Sequence, residues 1–125
     1  MYTLAVRRGF TARHFLVGGD WGAENLPNAH QYTLELQLKG ARLNRHGFLV
    51  DIMEVEKILD GLVGYYRDSM LNEKPEFAGL NPSIENFARI LCMTLDKDLQ
   101  EPNVTGLKVV LWENASAWAS FKIDH

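Results

Sequence analysis

A single cysteine, Cys92, stands among 125 residues, so neither an internal disulfide nor a multi-cysteine zinc module can be built. No apolar run approaches the roughly 20 residues of a membrane-spanning helix. The opening MYTLAVRRGF also lacks the charged-then-apolar order of a signal peptide. Positive charge is not in excess: thirteen Lys and Arg face sixteen Asp and Glu, for a formal charge of −3, which offers nucleic acid no basic stripe. These absences set the expectations of no nucleic-acid partner, no membrane, and a reducing, cytoplasmic location. What is present is a 46% hydrophobic content, which excludes a disordered tail or a collagen-like rod and supplies one ordinary core. Residues 1–125 read as one domain.

The hydrophobic pattern predicts the chain order. Tyr2, Leu4 and Val6 alternate with Thr3, Ala5 and Arg7, and the phase runs on through Phe10, Ala12 and His14, a half-buried strand with Gly9 as a candidate bulge. A polar loop follows from Gly18 to Pro27. His30, Tyr32, Leu34, Leu36 and Leu38 then alternate with polar partners up to Gly40, giving a strand with one wet and one covered face. Asp51 and Glu54 form a capping-box signature. Behind it Ile52, Val55, Ile58 or Leu59, Leu62 and Tyr66 make a helical stripe. A second helix is expected near Asn81-Pro82-Ser83, with Pro82 in its first turn and Ile84, Phe87, Ala88, Leu91 and Leu95 buried. Leu107, Val109 and Leu111, then Ala117, Ala119, Phe121 and Ile123, predict a hairpin around Glu113–Ser116. The order ββααββ implies an α+β fold, an antiparallel four-stranded sheet with both helices on one face. Its two open edges invite pairing with another copy.

Several polar residues fall where such strands should be apolar. His14 and His30 lie on the covered phases of the first two strands, and Asn28 joins them if the second strand begins that early. Two imidazoles and an amide meeting at a strand end suit either a metal site or a pair of hydrogen-bonded histidines. Glu113 ends the third strand on its apolar phase, where it either anchors a ligand through its carboxylate or frays into solvent. Taken alone, Glu24 reads as a solvated loop acid and Arg67-Asp68 as a surface pair at a helix end. Ser83 reads as a helix-start residue and Cys92 as packing. Trp21, Trp112 and Trp118 could stack a flat heterocycle, but aromatic residues in strands usually join the core.

Five stretches in order join these positions: Phe10-Thr11-Ala12-Arg13-His14, Asn28-Ala29-His30-Gln31-Tyr32, Gly47-Phe48-Leu49-Val50-Asp51-Ile52, Leu71-Asn72, and Asn81-Pro82-Ser83-Ile84-Glu85-Asn86. Together with Glu113, they resemble the 6-pyruvoyl-tetrahydropterin synthase family, which includes the 6-carboxy-tetrahydropterin synthases. The resemblance implies the tunnelling fold, in which subunits join their sheets into a barrel as trimers or hexamers with active sites at subunit interfaces. It implies a pterin-processing lyase acting on dihydroneopterin triphosphate or a related pterin, with a homologue that only binds a pterin or purine as the alternative. It also implies zinc on His14, His30 and position 28, a pterin anchored by Glu113 with help from Ser83, and catalytic residues at Glu24, Arg67 and Asp68.

Three departures accompany these matches. Position 28 is Asn where the family has a third histidine, which implies weakened or lost zinc, because an amide oxygen is a harder, weaker donor. The family's Asp-His pair aligns with Arg67-Asp68, so its histidine is absent. Glu24 aligns with the family's loop cysteine, and one branch of the family also carries glutamate there. A carboxylate with an ordinary pKa of about 4.3 is ionised at neutral pH, whereas a thiol near 8.5 is not.

Overall fold

A computed structural model describes all of residues 1–125. Two long strands, β1 (Tyr2–His14) and β2 (Asn28–Gly40), lead into helices α1 (Ile52–Tyr66) and α2 (Ile84–Asp98). The chain closes with strands β3 (Gly106–Trp112) and β4 (Trp118–Asp124). The sheet runs in the order β1-β2-β3-β4, antiparallel at every step. This is the α+β arrangement the hydrophobic pattern predicts. β1 and β2 pair without interruption, and Gly9 sits in register opposite Thr33, so no bulge forms there.

The helix-side face of the sheet holds Val6, Phe10 and Ala12 from β1, Tyr32, Leu34, Leu36 and Leu38 from β2, and Leu107, Val109 and Leu111 from β3, all buried. Against them α1 places Val55, Leu59, Val63 and Tyr66, and α2 places Phe87, Ala88, Leu91, Cys92 and Leu95. The α1 stripe is thus rotated from the predicted one: Val63 is buried, Leu62 only partly, and Ile52 is exposed. The core is ringed near its polar end by aromatic pairs. Phe87 meets Tyr32 edge-on with ring centroids 5.3 Å apart, Tyr66 at 5.0 Å and Phe77 at 5.6 Å.

Two helix starts differ in detail from expectation. Asp51 Oδ1 accepts from Met53 N at 2.9 Å, without the reciprocal Glu54 bond of a capping box. Ser83 caps α2, as expected of a helix-start residue, its Oγ accepting from Asn86 N at 3.1 Å, but Pro82 is packed just ahead of the helix and not in its first turn. On the opposite sheet face the alternation is less wet than predicted. Glu35 is buried, held by Arg7 Nε at 2.6 Å and Gln37 Nε2 at 2.6 Å. Trp112 lies beneath the Arg7 guanidinium at 5.0 Å, whereas Trp21 and Trp118 are exposed and contribute nothing to the core.

Candidate functional site

Strand register builds the site. His14 pairs with Asn28, Ala12 with His30 and Phe10 with Tyr32, and side chains two residues apart share a face. His14, His30 and Tyr32 therefore emerge on the helix side, where the apolar stripe of both strands gives way to polar groups. The small Ala12 leaves His30 room to lean toward His14, and their ring centroids stand 4.6 Å apart. Because Trp112 pairs with Thr33, the next residue, Glu113, falls beside Tyr32 on the same face. Its backbone N–H still donates to Ala117 O at 3.0 Å, so Glu113 is part of the hairpin and does not fray.

The fourth member, Glu24, arrives on a loop that is tied down at several points. Asn72 offers Phe15 both halves of an amide pair, Oδ1 accepting from Phe15 N at 3.0 Å and Nδ2 donating to Phe15 O at 2.9 Å. Asn81 does the same for Val17, at 2.8 and 2.9 Å. These two side chains act as strand neighbours for the chain leaving His14. Leu16 N then donates to Glu24 O at 2.7 Å, and Asn25 Nδ2 bridges Leu16 O and Gly19 O at 3.0 and 2.9 Å. Each of these bonds satisfies a backbone group of the loop, and together they fix where Glu24 stands.

The resulting cluster is compact. His14 Nδ1 lies 3.0 Å from the Tyr32 hydroxyl, and His14 Nε2 lies 3.3 Å from Glu24 Oε2. His30 Nε2 lies 3.7 Å from both Glu24 Oε2 and Glu113 Oε1. Burial pushes the His14 pKa below its ordinary value against the pull of Glu24, which keeps the ring neutral at pH 7. Burial raises Glu24, but the hydrogen bond from His14, the nearby imidazoles and Asn28 outweigh it and hold the carboxyl below its usual range. Burial also raises the Tyr32 phenol, aided by Glu113 and Glu24, so it stays protonated. A neutral His14 carries one N–H: on Nε2 it donates to the Glu24 carboxylate while Nδ1 accepts from the Tyr32 hydroxyl, and on Nδ1 it donates to Tyr32 and leaves the Nε2 lone pair for a cation.

The donor set fits a cation. His30 Nε2 is buried without any hydrogen-bond partner, a costly state for a polar atom unless something else binds it. One ligand atom each from His14, His30 and Glu113 lie within 4.8 Å of one another. Ligands about 2.0–2.1 Å from a tetrahedral zinc stand about 3.4 Å apart, close to the separations found here.

Two cavities reach the cluster. One of about 270 Å³ is lined by His14, Glu24, Ser83 and Glu113. The other, of about 610 Å³ on the sheet side, is lined by His30, Glu113, Arg7 and Trp112. Ser83 is thus brought to the pocket. Asn28 is present but engaged, its Nδ2 donating to His14 O at 3.1 Å and Leu26 O at 2.9 Å. Arg67 and Asp68 stand elsewhere, both exposed. Arg67 closes α1, and Asp68 takes a left-handed turn (φ 59°) and donates its N–H to Thr11 O at 2.6 Å. Residues 67–70 thereby run along the outer edge of β1, and neither side chain bonds to His14, His30, Glu24 or Glu113.

Tyr32, Asn25, Asn72 and Asn81 escaped identification as site residues. Tyr32 had a signal, a phenol two residues from His30 on the same phase. Asn72 and Asn81 belong to the stretches that carry the family resemblance, but nothing in the sequence announces that an amide will pair with a backbone more than fifty residues away.

The sequence profile described as 6-pyruvoyl tetrahydropterin synthase matches residues 3–124. Curated protein sequences give no match. Among solved structures, the Caenorhabditis elegans 6-pyruvoyl tetrahydropterin synthase superposes with a TM-score of 0.85 at 20% identity, covering 98% of this chain and 96% of that one. A Plasmodium vivax 6-pyruvoyltetrahydropterin synthase, with a glutamate described as a catalytic residue replaced by cysteine, gives 0.82 at 13% identity, covering 99% and 98%. An uncharacterised protein of Wolinella succinogenes gives 0.72 at 13% identity, covering 96% and 97%. The fold is therefore the tunnelling fold, and the chain belongs to the 6-pyruvoyl tetrahydropterin synthase family.

Proposed function

We propose that this protein is a pterin-processing lyase that acts on dihydroneopterin triphosphate or a related pterin, abstracting a carbon-bound proton and eliminating or cleaving part of the side chain. The observation that carries this reading is the meeting of Glu24, His14, His30 and Glu113 at one end of the sheet. Family membership supplies the substrate class.

Each residue has a role suited to its surroundings. Glu113, whose carboxylate lines both cavities, accepts hydrogen bonds from the N–H groups of the pterin ring, with Ser83 beside it. Glu24 is ionised at neutral pH because its pKa is held down, so it accepts a proton without prior activation. A glutamate is also described as a catalytic residue in the Plasmodium vivax relative. His14 and His30 would hold zinc, which when bound polarises the side-chain oxygens of the substrate and lowers the cost of removing the neighbouring proton. Tyr32 orients His14 from behind. Asp68, which lies outside the cluster of its own subunit, would handle a proton at the pocket of a neighbouring copy, with Arg67 beside it as a fixed positive charge. The working form is a homo-oligomer, a trimer or hexamer in the cytoplasm, joined through the free parts of β1 and β4. No helix is long and apolar enough to cross a membrane.

Incubation with dihydroneopterin triphosphate and zinc, followed by chromatography of the products, tests the reading. Product formation that is lost in His30→Ala is the expected result. Absence of turnover removes this substrate. The second reading, a homologue that binds a pterin or purine without turning it over, is favoured by one observation: the Asn28 amide is turned to the backbone, which leaves two imidazoles where the family resemblance implies three.

A further inference from the structure

A site that keeps two of three imidazoles must either lose its metal or complete the shell in another way. Asn28 is poorly placed to do so. Its amide nitrogen donates to two backbone carbonyls, His14 O and Leu26 O, and the same nitrogen lies against Glu24. An amide nitrogen is a donor with no lone pair to offer a cation, and turning the oxygen inward would break both bonds, including the one to His14 O that ties the start of β2 to the end of β1.

A carboxylate stands where a third imidazole is missing. Glu24 Oε2 is 3.3 Å from His14 Nε2 and 3.7 Å from His30 Nε2, so one oxygen faces both rings at separations suited to sharing an ion. Its position does not depend on a mobile loop, because Leu16 N holds the Glu24 carbonyl at 2.7 Å. The Asn25 side chain ties the next residue to Leu16 and Gly19 and accepts from Trp21 N at 2.6 Å. Glu113 is the competing carboxylate and shares a 4.8 Å neighbourhood with both histidines. Within 4.0 Å, however, it pairs with His30 alone, at 3.7 Å. His30 Nε2, buried and unpartnered, points into the space between the two acids.

We infer that the metal centre of this chain is a two-histidine, one-carboxylate site, His14–His30–Glu24, in which Glu24 Oε2 takes the place of the imidazole lost at Asn28. The inference rests on the metal-assisted reading above and deepens it. Glu24 keeps its second oxygen, Oε1, for the substrate proton, since a carboxylate offers two acceptor atoms. Glu113 remains available to the ring. A carboxylate is a harder donor than imidazole, so this set accepts manganese or ferrous iron more readily than three imidazoles would.

Calorimetric titration of Zn²⁺ alone into the full-length protein, with no pterin present, tests the assignment. The Co²⁺ visible spectrum gives a second readout of the ligands. Wild type is expected to bind one ion. Glu24→Gln should weaken binding more than about tenfold and change the Co²⁺ spectrum, with circular dichroism unchanged. Asn28→Ala and Glu113→Gln should bind within about threefold of wild type. Asn28→His added to Glu24→Gln should restore affinity by rebuilding a third imidazole. Tight binding by Glu24→Gln overturns the inference, and so does a loss that follows Glu113→Gln or Asn28→Ala instead. If wild type binds no ion at all, the metal-assisted reading itself falls, an outcome distinct from misassigning the third ligand.

Discussion

The same two strands present the helices with two very different surfaces. Along most of their length β1 and β2 offer Val6, Phe10, Leu34, Leu36 and Leu38 to α1 and α2, and the packing is wholly apolar. One or two steps further along the same phases stand His14, His30 and Asn28, with Glu24 and Glu113 against them. Backbone geometry is continuous across the boundary, where Tyr32 stacks its ring on Phe10 at 5.5 Å and turns its hydroxyl to His14. The lesson is that the sheet specifies position while side-chain chemistry specifies purpose. The apolar stretch provides stability, and it holds the polar end rigid enough for one atom of Glu24 to face two imidazoles.

That contrast can be broken from either side. The largest effect belongs to the apolar stretch: Phe87→Ala removes a ring in contact with Phe10, Tyr32, Tyr66 and Phe77 and should cost about 3–5 kcal/mol in urea unfolding. His30→Ala should leave the unfolding midpoint of the metal-free protein nearly unchanged, or raise it, because an unpartnered buried nitrogen is removed. Asn72→Ala sits at the boundary. It strips Phe15 N and O of their partners and should cost about 1–3 kcal/mol while also loosening the loop that carries Glu24.

Acid sharpens the comparison further. His14 has its pKa lowered by burial, so the unfolded chain binds its proton first. The stability His14 contributes is complete above about pH 6.5 and is lost as pH falls below that, with a slope of at most about 1.4 kcal/mol per pH unit. Glu24, whose pKa is also lowered, adds a loss that begins below about pH 4.5. His14→Gln should flatten the first of these losses in unfolding curves taken from pH 7 to 5.

The smallest effect concerns Cys92. Burial raises its thiol to about 11, so at pH 8 only about one molecule in a thousand carries the thiolate. The folded protein should resist a thiol reagent that labels it rapidly in urea.

Much of the fold was legible because its signals are local. Alternation along 30–39 and the spacing of Phe87, Leu91 and Leu95 are consequences of strand and helix geometry, visible in any window of the chain. The rotated α1 stripe was less legible, since Ile58, Leu59, Leu62 and Val63 offer two overlapping apolar faces and only packing against β1 chooses between them. At the site, the polar residues on apolar phases, His14, His30 and Glu113, could be singled out for the same local reason. Glu24 could not be, without the resemblance: a glutamate in a Gly-rich loop looks solvated until Asn72, Asn81 and Asn25 are seen to fold that loop back onto the strand ends. The separation of Arg67 and Asp68 from the cluster was equally hidden, because it depends on where the chain after α1 meets the edge of β1.

The central claim is that a heterocycle is held at the polar end of the sheet by Glu113, between the two cavities it lines. Calorimetric titration of a pterin into zinc-supplied wild type and Glu113→Ala measures this most directly. Saturable binding by wild type and none by Glu113→Ala is the predicted result. Equal binding by both proteins would contradict it.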